Sequence, residues 1–518
     1  MTIMLRRLSA AVLSTLLAAT LAQAQDSAPA APAPAPASEV PPPAPAALPA
    51  AGSLSLEECV ARALQKNFAV RIQSYSVRQA KDSVIIAKAA YDPIFGANWQ
   101  RAVQQSPVAL LSTSTGVNGA KPTTNDQSTS FSFTQPVITG GTVTAGYSLG
   151  RNASNTVQSL LNPSYNGLMS INISQPLLQG AGVDYNRATI QIAQLGEKIA
   201  NLNLKSSILS TVLNVETAYF NLVFAREQYA VALDSVKLAQ QLLDENTTKR
   251  GVGVLTDLDV AQAQAGLATA NNNLIGFKRA MDNAEDLLLQ ALGEREFSTP
   301  VGHVAFPAVE PVSPSFAVTY KLARDSGPNL AVIEATIEQY KLTALRAKRN
   351  GLPQVNAIAG GSYTSAEHNY GDANSSVWAG AGYNWNVGLS VSVPLGLRST
   401  RAQYRQALAN VESQQVALDQ ADQNLMVQVR AAIRAVQSSQ ESVAAAEQTT
   451  TFSLKQNELQ KAKFDAGLAT SYDVLQAQNQ LENARLTQLQ AEVSLRNALA
   501  NLRFLEGSSL QRYNIALP

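Results

Sequence analysis

Cysteine is nearly absent from this chain of 518 residues: Cys59 is the only one. With no partner it forms no intrachain disulfide, and it lies too far from the N-terminal cleavage region to be the lipid-bearing first residue of a lipoprotein. Histidine is almost as scarce. His303 and His368 stand alone, which excludes an ordinary zinc site built from nitrogen and sulfur ligands. Charged residues make up 15% of the chain and the formal net charge is +1, so there is no basic excess for a nucleic acid to meet. Nucleophile elbows, P-loops and dinucleotide fingerprints are also missing, and nothing supports an enzyme, a resident metal or a cofactor.

Long apolar runs are missing too, save one at the N-terminus. Arg6 and Arg7 precede the apolar stretch Leu8 to Leu21, and Ala22-Gln23-Ala24 offers a small-residue cleavage site. Residues 1–24 are therefore expected to be a secretory signal, the run being short for a membrane span. Ala28 to Gly52 is nearly all Ala and Pro. Such a segment cannot bury a core, and residues 25–53 read as an extended tether. Folded structure is expected from Leu54.

What the chain has in abundance is repetition. Gly253 to Gly293 and Gly467 to Gly507 align without a gap, with identities at Thr256/Thr470, Asp259/Asp473, Val260/Val474, Gln262/Gln476, Leu267/Leu481 and Leu288/Leu502. A second pair of stretches, Leu56 to Ala90 and Ser315 to Asn350, is helical in composition and ends before Pro93 and Pro353. The chain reads as one architecture built twice, residues 54–293 and 315–507, joined by a linker at 294–314 and followed by a tail at 508–518.

Each proline ends its helix and turns the chain into extended structure. Beyond it, residues alternate at period two. Phe131 and Phe133 alternate with Ser and Thr, as do Val143, Ala145, Tyr147 and Leu149 with Thr144, Gly146 and Ser148. In the second half Val355, Ala357, Ala359, Gly361 and Tyr363 share one face. After an insertion at 368–376, Tyr383, Trp385, Val387, Leu389 and Val391 do the same. Strands that are apolar on one side and small and polar on the other suit a membrane β-barrel, with Phe131, Phe133, Trp385 and Leu389 facing lipid. A soluble sandwich gives the same alternation. Export and the long helices that follow favour the barrel.

Those helices are long. Arg187 to about Lys249 carries Ile208, Val212, Val215, Tyr219 and Leu222 at 4-3-4-3 spacing. Arg398 to about Phe464 carries Val411, Leu418, Leu425 and Ala432, with Val429, Val436 and Val443 as a second seam. This is coiled-coil spacing, and helices of that size make rods of roughly 90 to 100 Å. Gly253 and Gly467 turn the rods at hairpins near 249–256 and 464–470, and Thr256 and Thr470 restart the helices as N-caps. The returning helices are shorter, so the stretches from Leu56 and Ser315 are expected to stack end-on and complete a second strut.

With LSLEECVARALQKN opening the first half, the strand-ending SQPLLQGAG and SVPLG, and the two tips GVLTDLDVAQAQ and GLATSYDVLQAQ, the sequence from about Leu54 to Gly507 resembles the TolC-like outer-membrane efflux protein family. The resemblance implies an α+β homotrimer. Its strands would share a transmembrane β-barrel in the outer membrane, and its antiparallel coiled-coil helices would form a tunnel through the periplasm. The tips would dock on a periplasmic adaptor joined to an inner-membrane transporter. The family usually contributes four strands per protomer. Strands at about 354–394 make one hairpin here, whereas about 94–176 has room for two, so four are expected and six are open.

The resemblance also implies a narrow mouth at the tips. Asp473 matches an acidic position six residues after the tip glycine, and Asp259 is its counterpart. As Thr-x-x-Asp boxes, both also read as helix caps. The family's second acidic position is Gln476, its basic latch residue is Ala469 and its tyrosine is Phe464, so a loose latch is expected. Arg250, Gly253, Val254, Gly467 and Leu468 are the candidates for adaptor docking. The implied function is a passive exit duct of a tripartite efflux system. A type I protein-secretion duct is the alternative, and a periplasmic coiled-coil scaffold is the reading from another class. The substrate is not legible in the chain.

Overall fold

The computed structural model describes residues 54–105, 123–155, 160–297, 301–308 and 313–515. The expected secretory signal and Ala/Pro tether lie outside them.

Helix α1 (Leu56–Lys66) starts at Ser55, whose hydroxyl accepts from the Glu58 amide at 3.2 Å. It stops at Asn67, and α2 (Phe68–Ala89) begins there, capped by the Asn67 side chain. One helix was expected across this stretch. The break arises because Asn67 serves both helices and its amide also donates to the Ala291 carbonyl at 3.0 Å. Strands β1 (Ile94–Gln105), β2 (Thr123–Pro136), β3 (Thr142–Ser154) and β4 (Ser164–Pro176) follow. The long helix α3 (Val183–Gly251) comes next, with 69 residues, about 100 Å of rod, and its partner α4 (Asp257–Leu292) returns.

The second half repeats the order. Helices α5 (Phe316–Ser326) and α6 (Pro328–Asn350) are separated at Gly327, where Pro328 takes the first helical position, the one place its missing N–H costs nothing. Strand β5 (Gln354–Glu367), a ten-residue helix α7 (Tyr370–Ala379) and strand β6 (Gly382–Ser392) come next. The chain finishes with α8 (Arg398–Asp465), α9 (Ser471–Glu506) and the short α10 (Ser509–Arg512).

Among the described residues there are six strands, not the four expected, and they form one antiparallel sheet in chain order. The Gly140-Gly141 turn makes the difference. Gly140 adopts φ +93°, and the Val137 amide donates back to the Gly141 carbonyl at 2.7 Å, closing the β2–β3 hairpin. A Cβ at Gly140 would lie 2.2 Å from the Gly180 carbonyl, so only glycine fits. Pairing of β4 with β5 joins the two halves.

The register makes the sheet two-faced from edge to edge. One row runs Phe95, Phe133, Ala145, Ile171, Gly361, Trp385 across the six strands. The next, on the opposite face, runs Gly96, Ser132, Gly146, Ser170, Ser362, Asn384. The sequence-predicted Phe131, Phe133, Trp385 and Leu389 all fall on the apolar face. Within the sheet, β1 and β6 each have a neighbour on one side only.

The helical part holds the core. Ile208, Val212, Val215, Tyr219 and Leu222 of α3 are all buried, as their spacing requires. Four of them pack with Cys59, Val60 and Ala63 of α1 and Leu288 and Leu292 of α4. In the second half Val429, Ala432 and Val436 of α8 pack with Leu495, Leu499 and Leu502 of α9, while Leu425 and Val443 are half-buried beside them. The connecting segment joins the core: Val301 and Val304 are buried, and Arg226 donates to the carbonyls of Gly302 and Val301 at 2.7 and 2.8 Å. At the C-terminal end, the Tyr513 hydroxyl donates to the buried Glu216 at 2.6 Å.

The end-on strut takes a specific form. Gly293 closes α4 at φ +75°, so close to the α1–α2 junction that a Cβ there would lie 2.7 Å from the Lys66 carbonyl. It is therefore α2, 22 residues long, that continues the 36-residue α4 alongside α3, while α1 lies beside them in the core. Gly507 packs in the same way against Ser326 at the break before α6.

Candidate functional site

At the end of the rods remote from the sheet, both hairpins turn by the same local chemistry. Gly253 and Gly467 adopt φ of +77° and +75°, which lets amides beyond the helix bond back to its last carbonyls. Val254 donates to the Lys249 carbonyl at 2.9 Å and Leu468 to the Lys463 carbonyl at 2.8 Å. A Cβ at either glycine would meet nothing within 4 Å, so conformation alone, not space, demands glycine here.

Each returning helix then opens with a complete capping box. The Thr470 amide and hydroxyl donate to Asp473 Oδ2 at 2.9 and 2.7 Å, and the Asp473 amide donates to the Thr470 hydroxyl at 3.3 Å. Thr256 and Asp259 repeat this at 3.0, 2.6 and 3.4 Å. Bonds from threonine hold both carboxyls below the usual carboxylate range, with the charge of Lys463 adding to the effect at Asp473. Both are therefore anions at neutral pH, at helix N-termini that favour them. Gln476 is exposed one turn further along α9.

The docking candidates fall into two kinds. The Arg250 side chain is tied across its own turn by an ion pair to Asp257 at 2.6 Å. Val254 and Leu468 are free apolar surface, 69% and 79% exposed beside Gly253 and Gly467. Val252, Leu258 and Tyr472 are exposed alongside them. Sequence reasoning missed these three; Val252, next to Gly253, carried the same signal as Val254, whereas Leu258 and Tyr472 lie inside the returning helices.

The two tips are also fastened to each other. Leu242, Ala263, Phe464 and Val474, from four different helices, form one buried cluster with Ala469 packed against it. The Lys249 ammonium of the first hairpin lies 3.8 Å from the centroid of the Phe464 ring and 3.7 Å from the Asp465 carboxylate. Lys461 and Glu245 pair in the opposite sense at 3.7 Å. Phe464, one of the positions expected to leave the latch loose, is thus met by a cation from the other half of the chain, while Ala469 only packs against the shared cluster. Buried Asn246 adds a bond to the Asp259 carbonyl at 3.1 Å. Among the described residues no group of three or more His, Cys, Asp or Glu side chains is placed to hold a metal ion.

Comparison with known proteins fits this architecture. A sequence profile described as "Outer membrane efflux protein" matches residues 142–294 and 319–508. The chain is 26% identical over 327 residues to outer membrane protein TolC of Salmonella enteritidis, an alignment covering 59% of this chain and 64% of that protein. It is 24% identical over 347 residues to the alkaline protease secretion protein AprF of Pseudomonas aeruginosa, covering 65% and 69%. The chain thus spans a little under two thirds of the length of the TolC relative. Among solved structures, it superposes on the Campylobacter jejuni CmeC outer membrane channel with a TM-score of 0.66 at 18% identity, over 88% of this chain and 86% of that one. The open state of the Neisseria gonorrhoeae MtrE outer membrane channel gives 0.62 at 17%, over 87% and 88%. These likenesses establish the fold. With the profile matching both halves, the chain belongs to the outer membrane efflux protein family.

Proposed function

We propose that the protein is the outer-membrane exit duct of a tripartite export system, passively conducting what an inner-membrane transporter expels through a periplasmic adaptor. One observation carries this reading: a sheet apolar on one face and small-polar on the other, joined directly to helical rods of about 100 Å. No core requires such rods. A duct across a periplasm does.

A sheet in lipid cannot leave edges open, because every backbone group there needs a partner. Edge strands β1 and β6 therefore pair with neighbouring copies. In the family's trimer, three copies of six strands close a barrel of 18, wide enough for an aqueous lumen. The helices lie in the periplasm, and three copies of Asp473 line the mouth at their far end, with Asp259 and Gln476 beside them. Negative charge at a constriction favours cations. The exposed apolar tips are the surface offered to the adaptor. Within this reading residues 1–24 direct export, 25–53 tether, and 54–293 and 315–507 are the two repeats.

Secretion of proteins is the second reading, favoured by similarity to a relative named for alkaline protease secretion. The same duct serves either cargo. A soluble periplasmic scaffold is separated from both by fractionation. Carbonate-resistant, heat-modifiable trimers with cation-preferring conductance in planar bilayers are expected. Carbonate-extractable protein without conductance would overturn the proposal.

A further inference from the structure

Helix α7 joins β5 to β6 at the end of the sheet remote from the rods, yet it does not project beyond the strands. It folds back and lies flat across β5, β4 and β3. Ala373 and Val377 face the sheet and are fully buried. The Ser365 hydroxyl donates to the Ala373 carbonyl at 2.6 Å, and the Trp378 ring stacks on Tyr147 with centroids 6.2 Å apart. Gly167 makes the fit possible. A Cβ there would lie 2.6 Å from Ser365 Oγ and 3.0 Å from the Ala373 carbonyl.

The face it covers is the apolar one. Tyr147, Gly167 and Ser365 sit at alternate positions from the polar row and in phase with Ile171 and Trp385. If lipid meets that face, α7 is outside the barrel wall and not in the lumen. Its own surfaces then fix its depth. Asp372 and Ser375 are exposed on the side away from the sheet, and a carboxylate held among acyl chains is strongly disfavoured. Yet Trp378 keeps 61% of its surface exposed and Tyr370 39%, aromatic area that bulk water leaves uncompensated. Both demands are met together only at the boundary between headgroups and acyl chains, where amphipathic rings are most stable.

We infer that α7 is an interfacial anchor: it lies on the outer wall of the barrel at the headgroup boundary of the outer leaflet, with Trp378 inserted, and sets the level at which the bilayer meets the protein. This rests on the membrane reading of the sheet. Asn369 and Gly380 fix its two ends, the first by capping at Asp372, the second in the left-handed conformation at φ +74°.

The chain has three tryptophans, Trp99, Trp378 and Trp385, which makes the test direct. The full-length protein carrying Trp99→Phe and Trp385→Phe leaves Trp378 as sole emitter, and Trp99→Phe with Trp378→Phe leaves Trp385. Each is reconstituted in phosphatidylcholine vesicles brominated either near the carbonyl end or near the methyl end of the acyl chain. Trp378 is expected to be quenched at least twofold more by the shallow bromines. Absence of quenching at Trp378 while Trp385 is quenched, or stronger quenching from the deep bromines, would overturn the anchor alone. If Trp385 too is untouched by either lipid, the membrane reading of the sheet fails with it. A nitroxide on Ala379→Cys, with all tryptophans kept and the fully buried Cys59 left unlabelled, provides a second measurement. Comparable collision rates with oxygen and a water-soluble nickel chelate are expected, and access by the chelate alone would refute the anchor.

Discussion

Asp473 performs two tasks with one carboxylate, and the two can be separated experimentally. Its bonds to Thr470 start α9, and in the proposed duct its charge faces the mouth. Lys249 has a single task, holding the first hairpin against Phe464 and Asp465 of the second. The cation–π contact and the partly exposed ion pair together contribute about 1 to 2 kcal/mol, small enough for a docking event to overcome. In planar bilayers, Asp473→Ala is expected to raise single-channel conductance and weaken block by divalent cations. Lys249→Met should raise conductance by freeing the tip while leaving divalent block intact. Equal behaviour of the two variants would mean that charge and latch are not separate. The capping boxes were legible in the sequence because four consecutive residues contain the whole device. The Lys249 contact was not, because its partners lie in the other half of the chain and meet only after both hairpins have packed.

Among the elements, the rods were the most legible, since a 3-4 spacing fixes both the helix and its buried stripe. The breaks were less so. Gly327-Pro328 carries its own stop signal, but Asn67 looks ordinary until its bond to Ala291 is known. The strand count turned on signals that were present, the Gln135-Pro136 ending and the Gly140-Gly141 turn, against a family habit that argued for four. Helix α7 is too short to show a period, so it read only as an insertion. At the hairpins, the free apolar surface on either side of the turn glycines makes a prediction for docking. Leu468→Asp with Val254→Asp leaves the turn conformation untouched and should reduce capture of the cognate adaptor at least tenfold. Capture at wild-type strength would show that the tips are not the docking surface.

For the molecule as a whole, the decisive question is what pairs with β1 and β6. Asn98 of β1 and Asn384 of β6 are both exposed on the polar face of the sheet. With cysteine at both positions, a short bismaleimide applied to outer membranes is expected to give covalent dimers and trimers on denaturing gels. A product that stays monomeric across neighbouring choices of position would mean the sheet does not close between copies. Closure itself was not legible in the sequence, because alternation reports the two faces of a strand and says nothing of who stands at its edge.

The fifth and sixth strands also change where resistance to flow resides. Each copy brings six strands; barrel diameter grows roughly in proportion to strand number, so the proposed wall of 18 rather than 12 strands would be about half again as wide and open about 2.3 times the cross-section. Conduits in series are governed by their tightest segment. In the proposed duct a broad exit adds almost nothing to the total impedance, and nearly the whole drop falls across the tips that carry Asp473. Under that proposal, throughput depends on the few side chains around Lys249 and Asp473, and widening the barrel further would leave it unchanged.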